Sequence, residues 1–149
     1  AGGRVTFVKP HGALYHRVTV DPEVAELVVG LIRPAGLAMV GLPGGVALAR
    51  AAAAGLATVP EAFADRGYTR TGALVPRTEA GAVLHDADTV TRRMVGLVRD
   101  GVIPAADGTP VAVVARSICV HSDTPGAIAI ARAVRDGLLD AGVQIVAAA

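Results

Sequence analysis

Short apolar runs alternate with segments of helical period along this chain. Val5–Val8 is a brief apolar run that ends at Lys9-Pro10. Asp21-Pro22 supplies an acidic N-cap and a proline at the first helical position. Val24, Leu27, Val28 and Leu31 then recur at helical spacing, which predicts a helix to about Arg33, stopped by Pro34. Leu37–Leu42 is a continuous apolar run of strand length, and Pro43-Gly44-Gly45 turns from it into an Ala-rich helix ending near Gly55. Leu56–Val59 is a third strand, leading into Pro60-Glu61-Ala62-Phe63-Ala64-Asp65-Arg66. Residues 67–77, GYTRTGALVPR, lack a helical period and read as a loop or irregular hairpin. Ala87–Asp100 returns to helical spacing through Val90, Met94, Leu97 and Val98. Gly101 to Pro110 reads as loop, and Val111–Val114 and Ile118–Val120 as strands. Thr124-Pro125 opens a helix to about Ala141, Gly142 ends it, and Val143–Val146 reads as a last strand.

Strands joined by helical crossovers imply a parallel sheet covered on its faces, and all-apolar strands agree with that. The expectation is one α/β domain over residues 1–149. Composition narrows the picture further. Hydrophobic residues make up 52% of the chain, with no Trp, two Phe and two Tyr, so Ala, Val, Leu and Gly must build the core. A net charge of +1 with no basic run argues against a nucleic-acid binder. No uncharged apolar stretch reaches the roughly 18 residues of a membrane span. The single cysteine, Cys119, cannot form an internal disulfide, so a reducing cytoplasm is the expected compartment.

Position makes the polar residues informative. In α/β folds ligands lie at the C-terminal ends of parallel strands. The first strand ends in Lys9 and His11, the second in the glycine turn Gly44-Gly45, the third in Glu61, Asp65 and Arg66, and the Ile118–Val120 strand in His121, Ser122 and Asp123. Parallel strands would deliver all four groups to one rim. Each also has a plainer reading. Lys9 and His11 could be ordinary loop residues, and the glycine turn could serve packing as well as a phosphate. His121 and Asp123 could belong to a capped helix start, or form a metal or acid–base arrangement. Glu61, Asp65 and Arg66 could be a solvated ion pair. Tyr68, Arg70 and Arg77 lie in a segment that reads as exposed. His16 and His85 read as surface residues, and Cys119 as a packing residue.

Three stretches in this order and spacing, VKPHGALY at 8–15, EAFADRGYTRTGALVPR at 61–77 and ICVHSDTPGA at 118–127, resemble the LamB/YcsF family of 5-oxoprolinase subunits. The resemblance runs over essentially the whole chain and is that of the family's C-terminal portion. The family's acidic DLNxDxGE-like, CGxHAGD-like and HPS-like segments are not present, and Ser122 stands where the family usually has Gly. The resemblance implies an incomplete TIM-like β/α barrel of the glycoside hydrolase/deacetylase type. It implies ATP-driven opening of 5-oxoproline to glutamate, together with partner subunits B and C. Opening a stable lactam needs cations for phosphate and a base or acid for proton movement. Lys9, His11, Glu61, His121 and Asp123 are then the candidate catalytic residues. Arg66, Arg77, Gly44 and Gly45 are candidates for binding substrate or phosphate. A divalent ion, Mg with ATP, is implied, with no protein ligands assigned to it.

Two other outcomes stand beside this one: a metal-dependent carbohydrate deacetylase or hydrolase, and an inactive truncated fragment. Loss of barrel strands would bare a sheet edge and apolar helix faces, so self-association is expected.

Overall fold

A computed structural model of the chain describes residues 2–147. Its strands form a four-stranded sheet in the spatial order Phe7–Val8, Ala38–Gly41, Thr58–Phe63, Ser117–Cys119, and a separate two-stranded sheet of Val102–Pro104 and Pro110–Ala112. The chain divides into two compact units. The first holds residues 2–61 and 115–117 with 147, and the second holds 62–114 and 118–146.

The first unit is a parallel β/α arrangement. β1 (Phe7–Val8) leads to α1 (Gly12–Val20) and α2 (Pro22–Ile32), and a 3-10 turn (Arg33–Ala35) delivers the chain to β2 (Ala38–Gly41). α3 (Val46–Ala53) crosses over to β3 (Thr58–Phe63), whose last two residues belong to the second unit. The pairing is parallel, with Phe7 opposite Ala38, Met39 opposite Thr58 and Gly41 opposite Pro60. β2 is buried along its whole length, as a central strand between two neighbours must be. Val18, Ala25, Val29, Ile32, Met39, Ala47 and Ala51 form the core between helices and sheet. The Asp21 carboxylate caps α2 by accepting from the backbone N–H groups of Glu23 and Val24 at 3.0 and 3.2 Å. Val5, Phe7, Val20, Leu27 and Leu31 are exposed.

Helix α1 does not show in the residue pattern. Only Tyr15 and Val18 are buried along it, and Val18, Thr19 and Val20 are β-branched residues of lower helix propensity. Packing against α2 and α3 overrides that preference.

In the second unit α4 (Ala87–Asp100) leads to a hairpin of β4 (Val102–Pro104) and β5 (Pro110–Ala112). β6 (Ser117–Cys119), which enters from the first unit, is followed by α5 (Ala127–Asp140). α4 keeps its expected bounds. It is capped by Asp86, whose carboxylate accepts from Thr89 N–H, and ended by Gly101 at φ 69°. α4 and α5 pack together. A Cβ at Gly137 of α5 would come within 2.3 Å of the Thr91 side chain on α4, so this crossing needs a residue without one.

Three expectations need correction here. Residues 101–110 are not simply loop: Val102–Pro104 pairs antiparallel with Pro110–Ala112, and Pro104 opposite Pro110 hid the hairpin from a propensity reading. The strand expected at Val111–Val114 ends at Ala112, in that small sheet and not in the parallel one. Val143–Val146 forms no strand. β propensity needs a paired neighbour, and Ile145 and Val146 lie exposed instead. No helix among the described residues is long and apolar enough to cross a membrane.

Candidate functional site

The distances tie the chemistry-bearing residues into two groups, one in each unit. In the first unit Lys9 follows β1, and Glu61 sits on β3 just past the Gly41–Pro60 pairing. Strands β1 and β3 flank β2, so about 10 Å separates their backbones. Two long side chains cross that gap. The Lys9 ammonium meets Glu61 Oε2 at 2.6 Å. Glu61 is 1% exposed, and its other oxygen, Oε1, is buried with no hydrogen-bond donor among the described residues. Lys9 is the more open partner, its side chain 18% exposed. His11 is exposed at the N-cap of α1, where its side chain makes no capping bond. Gly44, at φ 77°, and Gly45 form the turn into α3. The Gly45 N–H closes that turn on the Leu42 carbonyl at 3.0 Å, and a Cβ there would press on Leu42 and Thr19.

The second unit builds a denser cluster. Asp65, wholly buried, lies two residues past the end of β3. Its Oδ1 faces His121 Nδ1 at 2.9 Å. Its Oδ2 accepts from the Thr124 hydroxyl at 2.6 Å and from the His121 backbone N–H at 3.3 Å. A carboxylate only accepts, so Nδ1 carries the proton and the neutral ring keeps its lone pair on Nε2. The ring also stacks on Phe63, centroids 5.2 Å apart and planes at 19°. One ring hydrogen bond, to a carboxylate itself held by two further donors, and a stacking surface therefore fix the orientation of an imidazole whose side chain is still 23% exposed. A histidine held this way is equipped to take and return a proton.

Around this cluster the arginines do different jobs. Arg66 is 2% exposed; its Nε donates to the Ala82 carbonyl at 2.9 Å and its Nη2 to the Val75 carbonyl at 2.6 Å. Burial, and then the nearby Arg77 charge, lower its pKa. Arg93 of α4 binds the carbonyls of Ala64 and Arg66 at 3.0 and 3.2 Å, and burial lowers its pKa too. Arg77 is exposed and meets Asp123 at 3.2 Å, holding that carboxyl below its ordinary range. Arg70 pairs with Asp107 at 2.7 Å on the surface. A cleft of about 430 Å³ opens in this unit, lined by small residues such as Gly67, Gly81 and Ala106 and by Arg93.

The structure thus joins Lys9 to Glu61 and Arg77 to Asp123, and gives His121 a partner, Asp65, that the strand-end pattern named without assigning it a role in the site. Glu61, Asp65 and Arg66 are all buried, so they are no solvated ion pair. Tyr68 is likewise fully buried, its hydroxyl accepting from the Phe63 N–H at 2.8 Å. His16 and His85 are exposed, as expected. Asp65, named only as a strand-end acid, and Thr124, read only as a helix start, are the residues of this cluster that the sequence reading leaves out of the candidate site. The available signal was an Asp just past one strand end and a Thr three residues beyond a His at another. Among the described residues no three His, Cys, Asp or Glu side chains are grouped so as to hold a metal ion.

The first unit is thus a parallel β/α arrangement with crossover helices, and the second holds a carboxylate-oriented histidine past a strand end. Comparison with known proteins identifies the family. The sequence pattern of the LamB/YcsF family matches residues 1–149, and the chain belongs to that family. It is 56% identical over 147 residues to the A subunit of 5-oxoprolinase from Streptomyces griseus, covering 97% of this chain and 59% of that protein. The corresponding protein of Kocuria rhizophila is 53% identical, with 97% and 58% covered. Among solved structures, the lactam utilization protein from Thermus thermophilus superimposes with a TM-score of 0.89 at 41% identity, covering 97% of this chain and 58% of that one. The chain therefore spans somewhat under three-fifths of the length of these relatives.

Proposed function

We propose that this chain contributes to an ATP-dependent 5-oxoprolinase, working with partner subunits B and C to open 5-oxoproline to glutamate. The names carried by its relatives support the substrate. The observation that carries the chemical reading is the Asp65–His121 pair, with Nε2 left as the ring's proton acceptor. A five-membered lactam is a stable amide with a poor leaving group. Phosphoryl transfer from ATP to its oxygen, releasing ADP, makes the carbonyl carbon electrophilic; water adds there, the C–N bond breaks to leave a γ-carboxyl phosphate, and a second water releases phosphate and glutamate. The attacking water must lose a proton and the departing ring nitrogen must gain one. His121 serves both transfers, while Asp65 stabilises the imidazolium formed in between and Thr124 holds Asp65 in place.

In this reading Lys9, held by Glu61, is a candidate cation for an anionic group of substrate or nucleotide. Arg77 is the better clamp for phosphate or substrate carboxylate, because Arg66 and Arg93 are turned towards main-chain carbonyls. Asp123 restrains Arg77 in this reading. His11 and the Gly44-Gly45 turn are secondary candidates for contact with the nucleotide. ATP brings the divalent ion, Mg, as its own counter-ion, and no step is assigned to protein-bound metal.

The test is glutamate release from 5-oxoproline, measured with ATP and with subunits B and C of a relative supplied. The expected result is ATP-dependent turnover that falls about 10²–10⁴-fold in His121→Ala, the usual worth of a positioned proton-transfer group. Full turnover in His121→Ala would remove the histidine from the mechanism. Acetate release from an acetylated sugar without ATP would overturn the reaction class.

A further inference from the structure

Glu61 carries an unusual combination: a carboxylate 1% exposed, one oxygen bonded to Lys9 at 2.6 Å, and the other oxygen buried without a donor among the described residues. Leaving a buried acceptor unmet is unfavourable, more so when it is charged. A residue that only anchored Lys9 would gain from having both oxygens satisfied. The pair instead presents two complementary features side by side: an acceptor, Glu61 Oε1, and a cationic donor, the Lys9 ammonium.

Amides differ in whether they can use both at once. In an ordinary open-chain secondary amide the bond is trans, so N–H and C=O point in opposite directions. A five-membered lactam is held cis by its ring, and its N–H and C=O share one edge. Such an edge fits an adjacent acceptor and cationic donor with two parallel hydrogen bonds.

We propose that Lys9 and Glu61 form a cis-amide reader: Glu61 Oε1 accepts the ring N–H and Lys9 donates to the ring carbonyl oxygen. This deepens the 5-oxoprolinase reading and rests on it. It makes Glu61 a specificity residue that recognises the lactam nitrogen, and Lys9 the cation at the oxygen to be activated. Oε1 is covered and Lys9 is the more open partner, so the ligand enters beside Lys9, whose long side chain swings as the ring docks.

The probe is a pair of ligands that differ at one atom: 5-oxoproline and the lactone in which ring oxygen replaces N–H. The lactone has no N–H, and sets an acceptor against the Glu61 carboxylate. Calorimetric titration of the chain assembled with its partner subunits, without ATP, should show the lactone binding at least tenfold more weakly, in line with the loss of a charge-assisted hydrogen bond. In Glu61→Gln the side-chain amide can turn its NH₂ towards the ring oxygen, and the gap should shrink to threefold or less. Equal affinity of the wild type for lactam and lactone overturns the inference, as does an unchanged gap in Glu61→Gln or no lactam binding at all. The 5-oxoprolinase reading is judged separately by glutamate release. Turnover without discrimination sinks the reader alone, whereas absence of turnover sinks the reading beneath it.

Discussion

Among the described residues two carboxylates are buried, and they are treated in opposite ways. Asp65 has both oxygens engaged, by the His121 ring, the His121 N–H and the Thr124 hydroxyl. Glu61 has one oxygen engaged, by Lys9, and one unmet. A fully satisfied carboxylate is rigid and has no capacity left for a ligand, so it serves by orienting its neighbour. A half-satisfied one retains an acceptor that something else must fill. Both sit on or just beyond the same strand, four residues apart in sequence, yet in the functions proposed above one positions its neighbour and the other recognises a ligand.

The sharpest way to break the contrast is to change Asp65. In Asp65→Asn the Oδ2 position still faces two donors, Thr124 Oγ1 and His121 N–H, so the amide oxygen must stay there. The amide NH₂ is then forced onto His121 Nδ1. The ring answers with the other tautomer, placing its proton on Nε2, and the base is lost. Glutamate turnover should fall about 10⁴-fold with little change in KM, the scale of a tautomer-reversing substitution in another histidine–aspartate pair. A fall confined to KM would show that Asp65 shapes binding instead.

Changing Lys9 probes the other side. Lys9→Met removes the bonded partner of a buried carboxylate and should lower the unfolding free energy by about 3 kcal/mol, the lower end for breaking a buried pair. In Lys9→Met/Glu61→Gln, with the charge also gone, most of that loss should return. Chemical denaturation of the two variants checks this. An equal loss in both would show that packing, not the uncompensated charge, sets the cost.

Much of this was legible in the residues, and the part that was not has a physical pattern. Asp21-Pro22, Asp86 and Gly101 announce helix ends through local hydrogen-bonding chemistry, and α2 and α4 fall where they say. Lys9, Glu61 and His121 stood out because strand ends concentrate chemistry. What stayed hidden depends on long-range contact. Burial of Asp65 follows from residues 56 to 59 positions away, and nothing near it in sequence distinguishes it from a solvated acid. Arg66 reads as an anion clamp until its donors are seen on the carbonyls of Ala82 and Val75. Helix α1 is made by packing against its neighbours, and the β4–β5 hairpin forms despite a proline on each strand.

The loop that carries Arg66 offers a smaller effect. Gly67 has no room for a side chain, since a Cβ would lie 2.1 Å from the Gly81 carbonyl oxygen, a backbone atom that cannot swing aside. The same loop is pinned by Gly67 N–H on the Ala82 carbonyl and Val75 N–H on the Gly67 carbonyl. Gly67→Ala should cost about 2 kcal/mol, within the range for overpacking a closed site. It should also lower turnover, because the strain is applied one residue from Arg66 and two from Asp65. Unchanged stability would mean that the loop relaxes freely and does not support Asp65.

The mildest test uses a third carboxylate, satisfied like Asp65 but on the surface. Asp107 accepts from the Thr109 N–H at 3.0 Å and from Arg70 at 2.7 Å, and these bonds, with that from the Thr109 hydroxyl, bring its pKa from 3.8 to about 2. The folded value lies below the unfolded one, so its stabilising contribution is complete above pH 3.8 and disappears as pH falls through about 2. Because the group is exposed, water and salt weaken the pairing with Arg70. Carboxyl NMR titration should show the depressed pKa, and added salt should raise it part of the way back. The backbone bond from Thr109 is short-ranged and should survive the salt. A return all the way to 3.8 would show that Arg70 alone sets the shift. Retention of most of the depression would extend to the surface what Asp65 shows in the interior: a carboxylate is held by its backbone and hydroxyl donors as well as by the basic side chain paired with it.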